Sequence, residues 1–242
     1  MREMIAQGTP PPFIYAGYQT AGRGQAGNGW ESEEGKNLLC SILVESRKTK
    51  DKRPFYLNVV VSVAVYRVIQ SFVFERSGLG SLSEAVSIKW PNDIYWQDKK
   101  IAGILIENAI VGNDLQYSIA GIGINVNQTE WQSDAPNPVS LKQITGKEYD
   151  LDELMQQLYA QVQSALQEDA WAYYKAHLYR KEGYWQFVER EVGIAPTMNA
   201  SSQVQGQFLA CIEDVLPSGE IILRDQTGKK RKYHFKQIRY VV

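Results

Sequence analysis

"QTAGRGQAGNGW", residues 19–30, is the stretch on which the reading of this chain turns. Gly22, Gly24, Gly27 and Gly29 make up a third of it, and Arg23 stands between the first two. Glycine adopts backbone conformations closed to other residues, so successive N–H groups can converge on one anion. An arginine beside them adds a charge-assisted, bidentate contact to carboxylate or phosphate. The plainer reading, slack between two strands, stands beside it. No Gly-Lys-Ser/Thr follows, so the loop is not a P-loop, and the third glycine of a dinucleotide fingerprint is out of place.

Outward from this loop the chain alternates strand and helix signals. "FIYAGYQ" (13–19) reads as a short strand feeding it, and "NLLCSILVE" (37–45) as a strand buried on both faces. "RPFYLNVVVSVAVYRVIQSF" (53–72) carries strand-forming valines at helix length. Its all-round apolarity and Pro54 in the first turn favour a buried helix. Residues 84–110 read as a strand ending at Lys89, a break at Pro91, and two strands joined by a polar turn at 97–99. "LQYSIAGIGINVN" (115–127) is a further strand, in which Gly121 and Gly123 mark a bulge or a close backbone approach. Asp150 caps an amphipathic helix over 150–167, with Glu153 at capping-box spacing, and 170–185 reads as a second helix. After about residue 190 short β runs alternate with turns at "PSG" and "QTGKK". This gives a division into residues 1–190 and a small all-β domain, 191–242, that leans on the first.

Composition bounds the function. In 242 residues the hydrophobic fraction is 44%, the charged fraction 22% and the net charge −1. That balance gives no global reason to expect nucleic acid or an anionic membrane. No run reaches transmembrane length, and "MREMIAQGTPPP" is no signal peptide. Cys40 and Cys211 sit far apart in apolar runs, which fits two buried thiols in a reducing cytoplasm. The two histidines, His177 and His234, are scattered, and no zinc motif forms.

Three further clusters bear chemistry, each beside a plainer reading. In "KWPNDI" (89–94), Lys89 ends a strand and Pro91 forces an extended or turn geometry, so Asn92 and Asp93 sit where the chain bends. They either cap that turn or face a pocket, where Asp93 could orient a donor or help hold a cation. In "KKIAGILIE" (99–107), Lys100 opens a strand and Gly103 interrupts it: a solvated lysine and a bulge glycine, or room for a ligand chain with a cation at its mouth. "GIGIN" (121–125) repeats the theme and ends in Asn125.

Taken together, in this order and at about this spacing, "QTAGRGQAGNGWESEEGKNL", "KWPND", "KIAGILIE" and "GIGIN" resemble the biotin protein ligase family. The resemblance covers the catalytic domain nearly throughout and, more loosely, the β tail. It implies an α+β fold: the mixed, largely antiparallel sheet with flanking helices shared with class II aminoacyl-tRNA synthetases, followed by a small SH3-like barrel. It implies ATP and Mg²⁺ as cofactors and biotin as substrate, activated to biotinyl-5′-AMP. The acceptor would be one lysine of a biotin carboxyl carrier domain of a biotin-dependent carboxylase. Such chemistry is mostly positioning and charge neutralisation, with no nucleophilic side chain. By the same resemblance Arg23 and Lys100 are the catalytic cations. Gln19, Gly22, the backbone at Arg23, Gly24 and Gln25 meet biotin, and Lys100 meets its acid group. Gly103, Leu105, Gly121 and Gly123 line the slot for its valeryl chain. Trp30, Lys89, Asn92, Asp93 and Asn125 form the ATP and adenylate side, with Asp93 toward a Mg²⁺ carried by ATP.

Rival readings are a lipoate or octanoate transferase, which shares this fold, and a biotin-binding module without full activity. Strands near the glycine loop could pair two subunits into a homodimer. Three departures stand out. Many members carry arginine where this chain has Gln25, so weaker retention of the adenylate is expected. No helix-turn-helix precedes the catalytic part, so operator DNA is not an expected partner. The family's Ser/Thr-Thr-Asn turn, whose hydroxyls meet the ureido group, has no counterpart in the twelve residues before Phe13. Residues 1–7 read as the tail of a helix that starts earlier. The expectation is a late start, with an in-frame upstream extension encoding such a triplet; a stop codon immediately upstream would contradict it.

Overall fold

The computed structural model describes residues 1–24, 29–45, 48–77, 85–112, 114–133, 135–190 and 206–241. In chain order the elements are α1 (Arg2–Ala6), β1 (Phe13–Ala16), β2 (Leu38–Glu45), α2 (Tyr56–Ser77), β3 (Val86–Lys89), β4 (Asp93–Trp96), β5 (Lys99–Val111) and β6 (Asp114–Ile124). Then follow α3 (Leu141–Thr145), α4 (Leu151–Gln167), α5 (Ala170–Ala176), β7 (Trp185–Glu189), β8 (Gln207–Val215), β9 (Ile221–Asp225), β10 (Lys230–Tyr233) and β11 (Ile238–Tyr240).

The strands form two sheets, six-stranded in the order β1-β2-β6-β5-β4-β3 and five-stranded in the order β10-β9-β8-β7-β11. Every ladder between named strands is antiparallel. Among the described residues, parallel pairing occurs only as the isolated bridges Ile88–Leu178 and Lys100–Pro138. The α+β architecture expected from the sequence is the one observed, and the second sheet has the size and strand order of a small SH3-like barrel.

α2 explains the core. Its valines would suit a strand, but it is long and apolar on most sides, and as a helix it buries most of residues 56–73. It lies between β3–β5 on one flank and α4 and α5 on the other. The stretch Tyr56–Phe74 does reach membrane-spanning length and hydropathy, contrary to the sequence reading, yet 72% of it is buried inside the protein as a core helix. α4 presents Leu154, Met155, Leu158, Val162, Ala165 and Leu166 to this core, and Asp150 caps it by accepting the Glu153 N–H at 2.9 Å.

Two local expectations need correction. The helix expected over 170–185 ends at Ala176. Leu178 bridges to Ile88, and Arg180 and Gly183 take φ of 56° and 84°, which no helix continues. The glycines of the strands are not bulges: Gly103 pairs with Gly123 and Leu105 with Gly121 in regular register. The bulge falls instead at Ile101, between the pairs Ile94–Ala102 and Tyr95–Lys100.

The second sheet is bolted to the first. Gly219, at φ 101° in the β8–β9 turn, accepts the Trp90 indole N–H at 3.0 Å and presses on the Phe55 ring, where a Cβ would come within 2.6 Å. Lys175 pairs with Asp214 at 2.6 Å, and Arg180 donates to the Val241 carbonyl at 2.6 Å. Side chains of both sheets belong to one hydrophobic cluster.

Candidate active site

A cavity of about 960 Å³ opens on the sheet face opposite α2. Strand alternation builds its floor. Ala102, Ile104, Ala120, Ile122 and Ile124 point into the core, so Gly103, Leu105, Gly121 and Gly123, with Leu39 and Ser41 of β2, face the cavity. The glycines leave this floor flat. Onto it lies the Trp30 indole: a Cβ at Gly123 would come within 2.6 Å of the ring and one at Gly103 within 2.9 Å. Trp30, expected on the adenylate side, therefore roofs the slot. Its Nε1 is buried without a partner among the described residues.

The bulge at Ile101 shifts the alternation of β5 by one residue and turns Lys100 onto the cavity face. Its Nζ pairs with Asp93 at 2.8 Å and lies 5.8 Å from the Trp30 ring. Lys89 is held differently. Its Nζ donates to the Tyr95 hydroxyl at 2.9 Å and lies 4.3, 5.2 and 5.7 Å from the rings of Tyr95, Tyr240 and Tyr179. Burial in this aromatic box pulls its ammonium down to a pKa of about 8, against the opposing pull of Asp93.

Gln19, Arg23 and Gly24 form one rim. The loop closes at its base through the Trp30 N–H on the Gly22 carbonyl at 3.1 Å and a bridge between Arg23 and Gly29. Gly22 is irreplaceable there, since a Cβ would meet the Trp30 carbonyl at 2.3 Å. Gln25 lies outside the described residues.

Two expected site residues act as struts. Asn92 lines the cavity, but it is 2% exposed and donates to Asn58 Oδ1 and the Ile104 carbonyl, both at 3.0 Å. It fastens the "KWPND" turn to α2 and β5. Asn125 is not among the cavity-lining residues. It is buried beneath them and donates to the Val139 carbonyl at 3.1 Å, steadying the segment that pairs with Lys100. The resemblance assigns it to the adenylate side; in the structure its amide turns into the wall behind the cavity.

Sequence reasoning missed the far wall, where Arg190, Phe235, Lys236, Ile238, Arg239 and Tyr240 line the cavity from the second sheet. Lys236 projects from a turn at φ 77°, a left-handed conformation costly for lysine. The basic run "KKRKYHFKQIR" was the only signal, and nothing in it shows which residues meet a cavity more than a hundred positions away. With Arg23, Lys89 and Lys100, these three cations face two lining carboxylates, Asp93 and Glu107, and Glu107 is paired with Arg2 at 2.6 Å. The arrangement suits a ligand with an apolar stem and more than one negative charge. Among the described residues no cluster of three metal-ligating side chains exists. Among the described residues the lining carboxylates are Asp93 and Glu107, engaged by Lys100 and Arg2. The donor set therefore fits a divalent ion arriving on a nucleotide's phosphates better than a resident one.

The fold is that of the biotin protein ligases. The Aquifex aeolicus biotin protein ligase, solved with biotin and ATP, superposes with a TM-score of 0.68 at 22% identity, covering 95% of this chain and 89% of that one. Residues 6–125 match the model of the biotin/lipoate A/B protein ligase family. The bifunctional ligase/repressor BirA of Bacillus spizizenii is 29% identical over 227 residues, 91% of this chain and 64% of its own length. BirA of Escherichia coli is 35% identical over 111 residues, 46% of this chain and 32% of its own length. The chain thus spans less than two thirds of these curated relatives.

Proposed function

We propose that this protein is a biotin protein ligase: it activates biotin with ATP to biotinyl-5′-AMP and transfers the biotinyl group to a lysine of a biotin carboxyl carrier domain. The observation that carries the reading is the glycine floor ending at the Lys100–Asp93 pair, with cations on both walls. Biotin's apolar tail matches that floor, and its carboxylate, brought up to the α-phosphate, matches the cations. A tail laid on Gly103 and Gly123 occupies the place where the indole rests, so Trp30 lifts to admit it and then covers it.

In the first step a carboxylate oxygen attacks the α-phosphorus and pyrophosphate leaves. Arg23 and Lys100 offset the repulsion between the two anions, and Asp93 holds Lys100 in place until the substrate carboxylate competes for it. Lys89, Arg190, Lys236 and Arg239 supply positive charge where polyphosphate is bound and released. A Mg²⁺ ion bound to ATP would add charge neutralisation there, and Asp93 is the residue that would help hold it. In the second step the acceptor amine attacks the acyl carbonyl and AMP leaves. The buried thiols Cys40, raised to about 12 by burial, and Cys211 support a reducing compartment such as the cytoplasm.

Pyrophosphate release with biotin and ATP, followed by transfer of labelled biotin to a carrier domain, tests the reading. Calorimetry with biotin against lipoate in the presence of ATP separates it from the lipoate branch of the family. Biotin binding without pyrophosphate release would reduce the protein to a binding module.

A further inference from the structure

We propose that Glu31 is a positioning residue, the post that fixes one stem of the glycine loop and so sets where Trp30 meets the floor. The inference rests on the biotin ligase reading for its consequence in catalysis. Glu31 follows Trp30 directly. Its Oε1 accepts the Gln132 N–H at 2.8 Å and the Gln128 side-chain amide at 3.2 Å, and its Oε2 accepts the Ser133 N–H at 2.7 Å. One carboxylate thus grips two successive backbone N–H groups. Burial pushes its carboxyl up, but the hydrogen bonds from Ser133, Gln132 and Gln128 outweigh this and leave it below the ordinary range.

The grip continues inward. Gln128 is 2% exposed, and its Oε1 accepts the Glu33 N–H at 2.9 Å and the Asn37 amide at 2.6 Å. Asn37, 1% exposed, accepts the Val126 N–H at 3.0 Å. The segment after Trp30 is therefore tied to the chain leaving β6, the strand that carries Gly121 and Gly123. Among the described residues the other stem shows less anchorage: residues 17–21 are all exposed, and Gly17 is tied through the Gly35 N–H on its carbonyl at 2.8 Å. Trp30 sits beside the moored stem, so the anchorage of Glu31 sets the position from which its indole reaches Gly103 and Gly123.

The test uses Glu31→Ala and Glu31→Gln in the full chain, with two readouts. Glu31→Ala loses the charge-assisted bonds, so the KM for biotin and the rate of adenylate loss rise about tenfold while the KM for ATP stays within about twofold. Glu31→Gln keeps one acceptor and falls between. Amide exchange over residues 30–33 and 126–133 also rises about tenfold in Glu31→Ala. Unchanged exchange in the variants overturns the post, whatever the activity. Raised exchange with unchanged biotin KM and adenylate retention overturns its positioning role. A wild-type chain that forms no biotinyl-adenylate overturns the proposed function instead, and the exchange readout still decides the post. Should Glu31→Ala fail to fold, Glu31→Gln carries the same two readouts, and its matching wild type in both overturns the proposal.

Discussion

Lys89 concentrates the electrostatics of the cavity in one side chain. Its ammonium is lowered from 10.5 to about 8 by burial in the box of Tyr95, Tyr179 and Tyr240. Above 10.5 the lysine is neutral both folded and unfolded, so it costs nothing. As pH falls, the unfolded chain takes up the proton first, and the cost grows until about pH 8, below which it is fully present. Stability is thus expected to rise with pH across this window by on the order of 3 kcal/mol. Lys89→Met should flatten that rise in denaturant titrations; an unchanged slope would show that the box does not penalise the charge. An anionic ligand favours the charged form, so ATP binding just above pH 8 should take up a proton, visible as a buffer-dependent binding enthalpy. Lys100 behaves differently, being paired with Asp93 rather than boxed. Lys100→Ala should reduce adenylate formation by at least about a hundredfold, read as pyrophosphate release.

At the scale of elements, the β5–β6 hairpin does most to shape the site. Its paired glycines were legible in the sequence as a departure from an apolar strand, and a close backbone approach was one of the readings left open. Their partner was not legible, because Trp30 reaches them from a loop more than seventy residues away. Gly123→Ala would put a methyl group into the indole and displace the roof. The expected result is a KM for biotin raised about tenfold or more, with the melting temperature nearly kept, since the strand register needs no glycine. The bulge at Ile101 is a harder case. "DKKIAG" contains no residue that announces it, and the extra residue is visible only once β4 fixes the register. By contrast, α3 was legible and went unread: Ser140 and Gln143 form a capping box and Gly146 closes the helix at φ 74°.

For the whole molecule, the join between the sheets is the feature the sequence concealed. The small β domain leans on the larger one as expected, and besides the Lys175–Asp214 and Arg180–Val241 contacts the join uses Trp90 and Phe55, residues that read as motif or core. Trp90→Phe would leave the Gly219 carbonyl without its indole donor, at a cost of about 1–3 kcal/mol. Hydrogen exchange should then rise over 207–241, and the KM for ATP should increase as the far wall of the cavity loosens. Exchange confined to residues 89–93 would place the effect of Trp90 within the first sheet alone.

Because Tyr240 closes the box around Lys89, and Lys236 and Arg239 complete the cavity wall, the enclosure depends on the second sheet. The glycine floor and both motif lysines lie within residues 89–123, while the residues of the opposite wall lie within 190–240. The cavity is therefore enclosed only where two distant parts of the chain meet. The pairing of β11 with β7 is what sets Tyr240 over Lys89.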